Sequence, residues 1–148
     1  MHLLTNNFRD DATRKEQKAV ALINQGKLSK AETILRELIA DGTNSGEIYG
    51  NLAAICGMQG RFIEVYSLLQ IAIQLNPSNS EAHNNLGIIL DSQNKPNAAI
   101  ASYHKAIKLK PDFPEAYNNL GNSLQKRGDI TAAIASYKRA IQLKVDFA

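Results

Sequence analysis

The stretch EAHNNLG at residues 81–87 returns as EAYNNLG at residues 115–121, with six of seven residues identical and a spacing of 34. The same spacing relates AAIASY at residues 98–103 to AAIASY at residues 132–137. LNPSNSEAH at residues 75–83 extends the register toward the N-terminus. A fixed period of this size is typical of architectures in which small helical units stack on one another. The sequence therefore predicts a repeat protein.

Counting positions 1 to 34 from Ala12 divides the chain into four consecutive repeats behind an N-terminal tail. The predicted segments are the tail at 1–11, repeat 1 at 12–45, repeat 2 at 46–79, repeat 3 at 80–113 and repeat 4 at 114–147. Apolar or small residues recur at positions 7, 8, 11, 20, 24 and 27, the spacing of helices with one buried face. Repeat 1 diverges most, because Lys15 stands at position 4, where Tyr49 and Tyr117 stand in two other repeats, and Lys18 stands at the apolar position 7; we expect this repeat to act as a polar cap.

Position 15 of the repeat predicts a sharp turn in the middle of each unit. It is occupied by residues that tolerate the left-handed conformation in which helices end: Gly26, Gly60, Asn94 and Gly128. Pro77 and Pro111 stand at position 32, where proline ends a helix. Each repeat is therefore predicted to contain helix A at positions 2–14 and helix B at positions 17–30. The predicted fold class is all-α.

The composition narrows the classes of function. An apolar fraction of 44% and a charged fraction of 21% are ordinary for a soluble folded protein. No apolar run predicts a signal peptide or a membrane span. The single cysteine excludes an internal disulfide framework, so we expect a cytoplasmic protein and no membrane partner.

Residues suited to catalysis or metal binding do not form a recognisable pattern. Cys56 lies on the predicted buried face of its helix, and His83 occupies a position that is tyrosine in two other repeats. No H-x-x-x-H, C-x-x-C or phosphate-binding glycine loop is present. Glu47, Glu81 and Glu115 begin successive A helices, where carboxylates stabilise the helix dipole. We therefore expect no catalytic residues, metal or cofactor in this chain.

Basic residues in the last two repeats raise the question of nucleic acid. They are scattered over both helices of each repeat, with acidic residues between them, and no exposed aromatic residues alternate with them for base stacking. The residues are Lys105, Lys108, Lys110, Lys126, Arg127, Lys138 and Arg139. A solvated surface explains this pattern, and we do not expect a nucleic-acid partner.

Asparagines are concentrated on the face of helix A opposite the core. Positions 4, 7, 8 and 11 fall within an arc of about 100° that must be buried. Positions 2, 5, 6, 9, 12 and 13 lie on the other side and include Asn84, Asn85, Asn118, Asn119 and Asn122. Asparagine is a poor helix former, so this density requires a reason. Its amide offers a donor and an acceptor, which match a peptide backbone; bonding between neighbouring helices is the alternative explanation.

The 34-residue period, the Leu-Gly pairs at 86–87 and 120–121, the paired small residues and the closing prolines resemble the tetratricopeptide repeat (TPR). The resemblance implies a right-handed superhelical solenoid that binds a protein or peptide in a concave groove lined by the A helices. Residues 99–129 are similar to the TPR arrays of O-linked N-acetylglucosamine transferases and SPINDLY-type proteins. Those arrays hold a peptide backbone with an asparagine ladder, which corresponds here to Asn51, Asn85 and Asn119, with Gln17 as a partial match.

The predicted peptide-binding site follows from this resemblance and from the faces of helix A. Its residues are Gln17, Asn51, Asn84, Asn85, Asn118, Asn119, Asn122, Asp91, Gln125 and Lys126. TPR grooves that clamp chaperone carboxylates need basic residues at position 5. Position 5 instead holds Glu16, Gly50, Asn84 and Asn118, so that type of groove is disfavoured.

Two further interpretations remain open. The chain can be the substrate-recruiting region of a larger glycosyl-, sulfo- or methyltransferase whose catalytic domain lies beyond residue 148. It can also be a structural module that forms a homo-oligomer through helix B of repeat 4. That helix is expected to expose Ile134, Tyr137 and Ile141, an apolar patch that ordinarily needs covering.

Overall fold

The computed structural model describes residues 2–146, with side-chain detail from residue 8 onward, and throughout that range it is built from α-helices. The helices are α1 His2–Asn24, α2 Leu28–Ala40, α3 Gly46–Met58, α4 Phe62–Leu75, α5 Ser80–Ser92, α6 Pro96–Leu109, α7 Pro114–Arg127 and α8 Ile130–Asp146. Consecutive pairs form the four predicted helix–turn–helix repeats, which confirms the fold class. Phe147, the last residue of predicted repeat 4, lies outside the described residues.

The turn inside each repeat has the geometry that position 15 predicts. The backbone φ angle there is +73° at Gly26, +74° at Gly60, +58° at Asn94 and +93° at Gly128. The residue after each of these donates its N–H to a carbonyl five residues earlier, at 2.9 Å in all four repeats. This is the Schellman geometry that satisfies carbonyls at a helix end. The prediction of left-handed turns is confirmed.

Two helices extend beyond the predicted bounds. Residues 2–11 belong to α1, so they continue the first helix instead of forming a separate tail. No glycine or proline interrupts residues 2–24, so nothing in the backbone ends the helix there. At the other end, α8 continues to Asp146 because Val145 stands at position 32, where two earlier repeats have proline. The 34-residue repeat pattern does not predict either extension.

The helices divide into two compact units, which are described separately. The N-terminal unit is Met1–Leu75 and contains α1–α4; the C-terminal unit is Asn76–Ala148 and contains α5–α8. Fully buried Leu35, Leu52 and Leu69 contribute to the core of the first. Tyr103 is 1% exposed in the core of the second. The superhelical course of the four repeats stays a prediction.

In the C-terminal unit, glycine at position 8 allows each A helix to approach its B helix closely. A Cβ atom added to Gly87 would lie 2.5 Å from Cε1 of Tyr103, and one added to Gly121 would lie 2.6 Å from Cε1 of Tyr137. Both distances are far below van der Waals contact. The glycines therefore make room for the two tyrosine rings.

Candidate functional site

Exposed side-chain amides lie on α5 and α7, opposite the core positions of each helix. We call these side chains together the amide face, and they are Asn85 on α5 and Asn118, Asn122 and Gln125 on α7. Lys126 is also exposed beside it at the end of α7. Each amide presents both donor and acceptor groups. The amide face can therefore bind groups that offer the complementary pair, such as a peptide backbone.

Asn84 and Asn119 join the two repeats of the C-terminal unit. Asn119 Nδ2 donates to Asn84 Oδ1 at 3.1 Å, and Asn84 is only 6% exposed. The expectation that Asn84 lines an open groove is therefore wrong. Position 5 of α5 lies where α7 packs beside it, and this contact covers the Asn84 side chain. Bonding between neighbouring helices is the alternative explanation given above for the density of asparagines, and the Asn84–Asn119 bond is of this kind.

Asp91 is half-buried and takes part in an internal hydrogen-bond network. Its Oδ2 accepts a bond from the Tyr103 hydroxyl at 3.0 Å and another from the Ser123 hydroxyl of the next repeat. Burial raises the pKa of the Tyr103 phenol, and the nearby charge of Asp91 raises it further. Asp91 thus links α5 to α6 and α7 by hydrogen bonds. The sequence instead predicts that Asp91 is a residue of the open groove.

Asn122 and Gln125 are exposed but already have one partner. The Tyr137 hydroxyl lies 2.7 Å from Asn122 Oδ1 and 3.1 Å from Gln125 Oε1. Because a hydroxyl donates a single hydrogen, these two oxygens compete for it. The Tyr137 hydroxyl engages the oxygens of these amides and not their NH₂ groups. The amides of Asn122 and Gln125 on α7 are therefore better suited to donate hydrogen bonds to a carbonyl oxygen of a ligand than to accept hydrogen bonds from it.

Gln17 lines a surface depression of about 500 Å³ in the N-terminal unit. The residues lining the depression with it are Thr13, Glu16, Val20, Ala21, Asn24 and Glu47. Glu16 and Glu47 were not predicted as site residues, although their positions 5 and 2 place them on the predicted groove face. Asn51 is partly buried on α3 of the same unit. The N-terminal unit thus offers a more acidic surface than the amide face.

Four charged side chains connect the two B helices of the N-terminal unit. Arg36 donates to Glu64 at 2.6 Å and to Glu32 at 2.8 Å, and Arg61 Nη2 donates to Glu32 at 2.8 Å. The bond from Arg61 lowers the pKa of Glu32, and the bond from Arg36 lowers that of Glu64. We call these residues the ion-pair cluster. Each charge has an opposite partner, which indicates a structural role.

The other two candidate reactive side chains, His83 and Cys56, are buried. His83 is 9% exposed, and its Nε2 lies 3.0 Å from the Pro77 carbonyl oxygen. Cys56 is fully buried, and burial raises the pKa of its thiol. Among the described residues, no three His, Cys, Asp or Glu side chains gather as metal ligands would. In the same part of the chain, no helix has the length and apolarity needed to span a membrane.

The outward face of α8 presents the apolar patch expected from the sequence. Ile134 is 48% exposed and Ile141 is 63% exposed. Tyr137 is only half-buried, because its ring packs on Gly121 while one side remains open. The exposed strip continues in both directions to Ile130 and Val145, which were not predicted as part of it.

Family models place these observations in a known context. Models described as TPR repeat or tetratricopeptide repeat match residues 68–101, 89–128 and 114–147. Together the matches span more than half of the 148 residues. The chain is a tetratricopeptide repeat protein. Repeats of this family generally mediate contacts between proteins and are typically not catalytic. Among curated proteins, none matches the sequence significantly.

Solved TPR structures resemble the whole chain. A crystal structure of MamA matches 98% of this chain and 85% of its own, at 24% identity and a TM-score of 0.83. MamA residues 41-end from Desulfovibrio magneticus RS-1 match 91% and 76%, at 18% identity and a TM-score of 0.79. YrrB, described as a TPR protein with an unusual peptide-binding site, matches 91% and 70%, at 18% identity and a TM-score of 0.78. At these identities the likeness concerns the fold.

Proposed function

We propose that this TPR protein binds an extended segment of another protein along the outward faces of its A helices. The observation that carries the proposal is the amide face, where Asn85 on α5 and Asn118 and Asn122 on α7 are exposed. An extended backbone presents carbonyl and N–H groups at regular intervals, and side-chain amides can bond to both. Such contacts are independent of the ligand's side chains.

A sequence resemblance and a solved structure support this proposal. The resemblance predicts that Asn51, Asn85 and Asn119, with Gln17 as a partial match, correspond to the asparagine ladder of O-linked N-acetylglucosamine transferase and SPINDLY-type arrays. YrrB, whose TPR fold resembles this one, is described as having a peptide-binding site. In this chain Asn119 already bonds to Asn84. We therefore assign Asn119 to positioning the repeats and Asn85 to direct contact with the ligand.

An array of unstructured peptides incubated with the folded chain tests the proposal. Asn85→Ala should weaken binding to every retained peptide by about tenfold, the loss expected for one or two hydrogen bonds to the backbone. The matched control is Asn97→Ala, which removes an exposed asparagine from α6, outside the amide face. Equal affinities for Asn85→Ala and the unaltered chain, with both folded by circular dichroism, would refute the assignment.

The acidic depression around Gln17 predicts that the N-terminal unit prefers cationic peptides. Glu16 and Glu47 line it, so a peptide that binds this unit should bind more tightly at low salt when it carries a lysine or arginine. Glu16→Gln combined with Glu47→Gln should remove this preference and leave binding of uncharged peptides unchanged. A preference for acidic peptides would contradict the proposal for this unit.

A further inference from the structure

The apolar strip on α8 follows one line along the helix. Ile130, Ile134, Ile141 and Val145 are separated by four, seven and four residues, which places them on one face. Their exposures are 53%, 48%, 63% and 69%. The strip covers about 22 Å of helix. A continuous exposed apolar strip of this kind indicates a contact surface.

The corresponding face of α6 shows what kind of element covers such a strip. Ile100 occupies the same repeat position as Ile134 and is 6% exposed, and Ile107 corresponds to Ile141 and is partly buried. Ile107 packs against a cluster formed by Ala106, Phe113 and Ala116 at the contact between α6 and α7. Within the identical sequence AAIASY, the isoleucine is therefore covered on α6 and exposed on α8. The strip on α8 has the shape and apolarity to receive a helix.

A second copy does not offer α1 as that helix. The residues of α7 that correspond to Arg14 and Lys18 are Ala116 and Leu120, both buried. Arg14 and Lys18 are exposed cations on α1. Stacking copies head to tail would bury both charges, which is costly. The polar cap predicted for repeat 1 thus opposes an open chain of copies.

The α8 strip is complementary to itself when two copies run antiparallel. About a centre between Tyr137 and Lys138, Ile134 of one copy faces Ile141 of the other, and Ile130 faces Val145. At the centre, each Lys138 faces the other copy's Tyr137, an arrangement suited to a cation–π contact. Every apolar residue of the strip meets an apolar partner in this one register. A two-fold arrangement of this kind closes on itself.

We propose that two copies of this chain form a dimer through antiparallel packing of α8 on α8, in the register that pairs Ile134 with Ile141. The contact meets the amide face at Tyr137, whose hydroxyl is hydrogen-bonded to Asn122 and Gln125. The interface contains only eight apolar side chains, four from each copy. It is therefore small compared with stable protein–protein interfaces, which bury about 1,200–2,000 Å². The dimer is therefore expected to dissociate in the micromolar range.

Sedimentation equilibrium from low micromolar to millimolar concentration tests the dimer. The unaltered chain should reach twice the monomer mass, whereas Ile134→Glu and Ile141→Lys should each raise the dissociation constant at least tenfold. The matched control is Ile63→Glu, since Ile63 is 87% exposed on α4. Circular dichroism establishes that each variant is folded. A monomer at every concentration, or an equal loss with Ile63→Glu, would overturn the proposal.

Mixing the two α8 variants tests the register. In a mixed dimer, the carboxylate introduced at position 134 of one chain would face the ammonium group introduced at position 141 of the other, and the opposite end would retain its isoleucine pair. An equimolar mixture of Ile134→Glu and Ile141→Lys should therefore dimerise more strongly than either variant alone. No gain on mixing would exclude this register, and assemblies larger than a dimer would exclude a closed two-fold contact.

Discussion

The N-terminal and C-terminal units have the same backbone plan but use different side chains at equivalent places. At positions 8 and 24 the N-terminal unit pairs alanine with leucine, and the C-terminal unit pairs glycine with tyrosine. Between repeats, the N-terminal unit uses the ion-pair cluster, whereas the C-terminal unit uses the Asn84–Asn119 bond and the Asp91 network. The 34-residue plan therefore fixes where helices meet without fixing the chemistry of the contact.

The largest expected effect follows from removing the space for a tyrosine ring. Gly87→Ala places a Cβ 2.5 Å from Cε1 of Tyr103, whose side chain is buried and cannot move aside freely. Overpacking of this kind costs about 1–3 kcal/mol. We expect the upper part of that range for the free energy of unfolding, measured by circular dichroism in urea.

Two further variants sharpen this comparison. Gly50→Ala makes the same change on α3, where the added Cβ meets nothing within 4 Å, so it should stabilise the fold by about 0.5–1 kcal/mol. Tyr103→Leu recreates the pair used in the N-terminal unit and also removes the bond to Asp91, so Gly87→Ala should cost much less in the Tyr103→Leu background than in the unaltered chain. An equal cost in both backgrounds would contradict the argument from packing.

The two tyrosines at position 24 should differ in their response to loss of the hydroxyl. Tyr103→Phe removes a bond to half-buried Asp91, so we expect a loss of about 1–2 kcal/mol in the free energy of unfolding. Tyr137→Phe removes a bond to exposed acceptors that water can replace, so the loss should stay below about 0.5 kcal/mol. Equal losses in urea would show that burial of Asp91 has no energetic weight.

The dependence of the stability of the N-terminal unit on pH is also expected to be small. A lowered pKa means that folding favours the charged form of Glu32 and Glu64. Their contribution is complete above the ordinary glutamate pKa of 4.5 and is lost as the pH falls through the lowered value. Because the cluster is partly exposed, it should amount to less than about 1 kcal/mol.

A charge-neutral variant isolates this contribution. Glu32→Gln should lower the urea midpoint at neutral pH and have little effect well below pH 4.5, where the unaltered side chain is protonated too. Glu37→Gln, on the exposed side of the same helix, provides the matched control. An equal effect of Glu32→Gln at both pH values would show that its role does not depend on charge.

The repeat frame predicted the helical pairs and their turns because these depend on local backbone preferences. Asn94 illustrates this: asparagine replaces glycine at position 15 and still adopts a positive φ of 58°. Two helix boundaries were missed for a related reason. Residues 2–11 precede the frame, and Val145 lacks the ring that would end α8.

The partners of individual polar side chains were less predictable. Periodicity assigned Asn84 and Asp91 to the outward face of α5, but it carries no information about which neighbouring helix covers that face. The Asn84–Asn119 bond joins residues 35 positions apart, and the Asp91–Ser123 bond joins residues 32 apart. Such contacts are set by the packing of one repeat on another, so they emerge only with the three-dimensional structure.

The buried Cys56 makes local opening measurable in one half of the molecule. It is the chain's single cysteine and lies on α3 of the N-terminal unit. Because thiol reagents attack the exposed thiolate, modification requires this unit to open first. The rate of alkylation in the Gly87→Ala variant would therefore report whether strain in the C-terminal unit changes the opening of the N-terminal unit. The chain thus contains its own chemical probe of cooperativity between repeats.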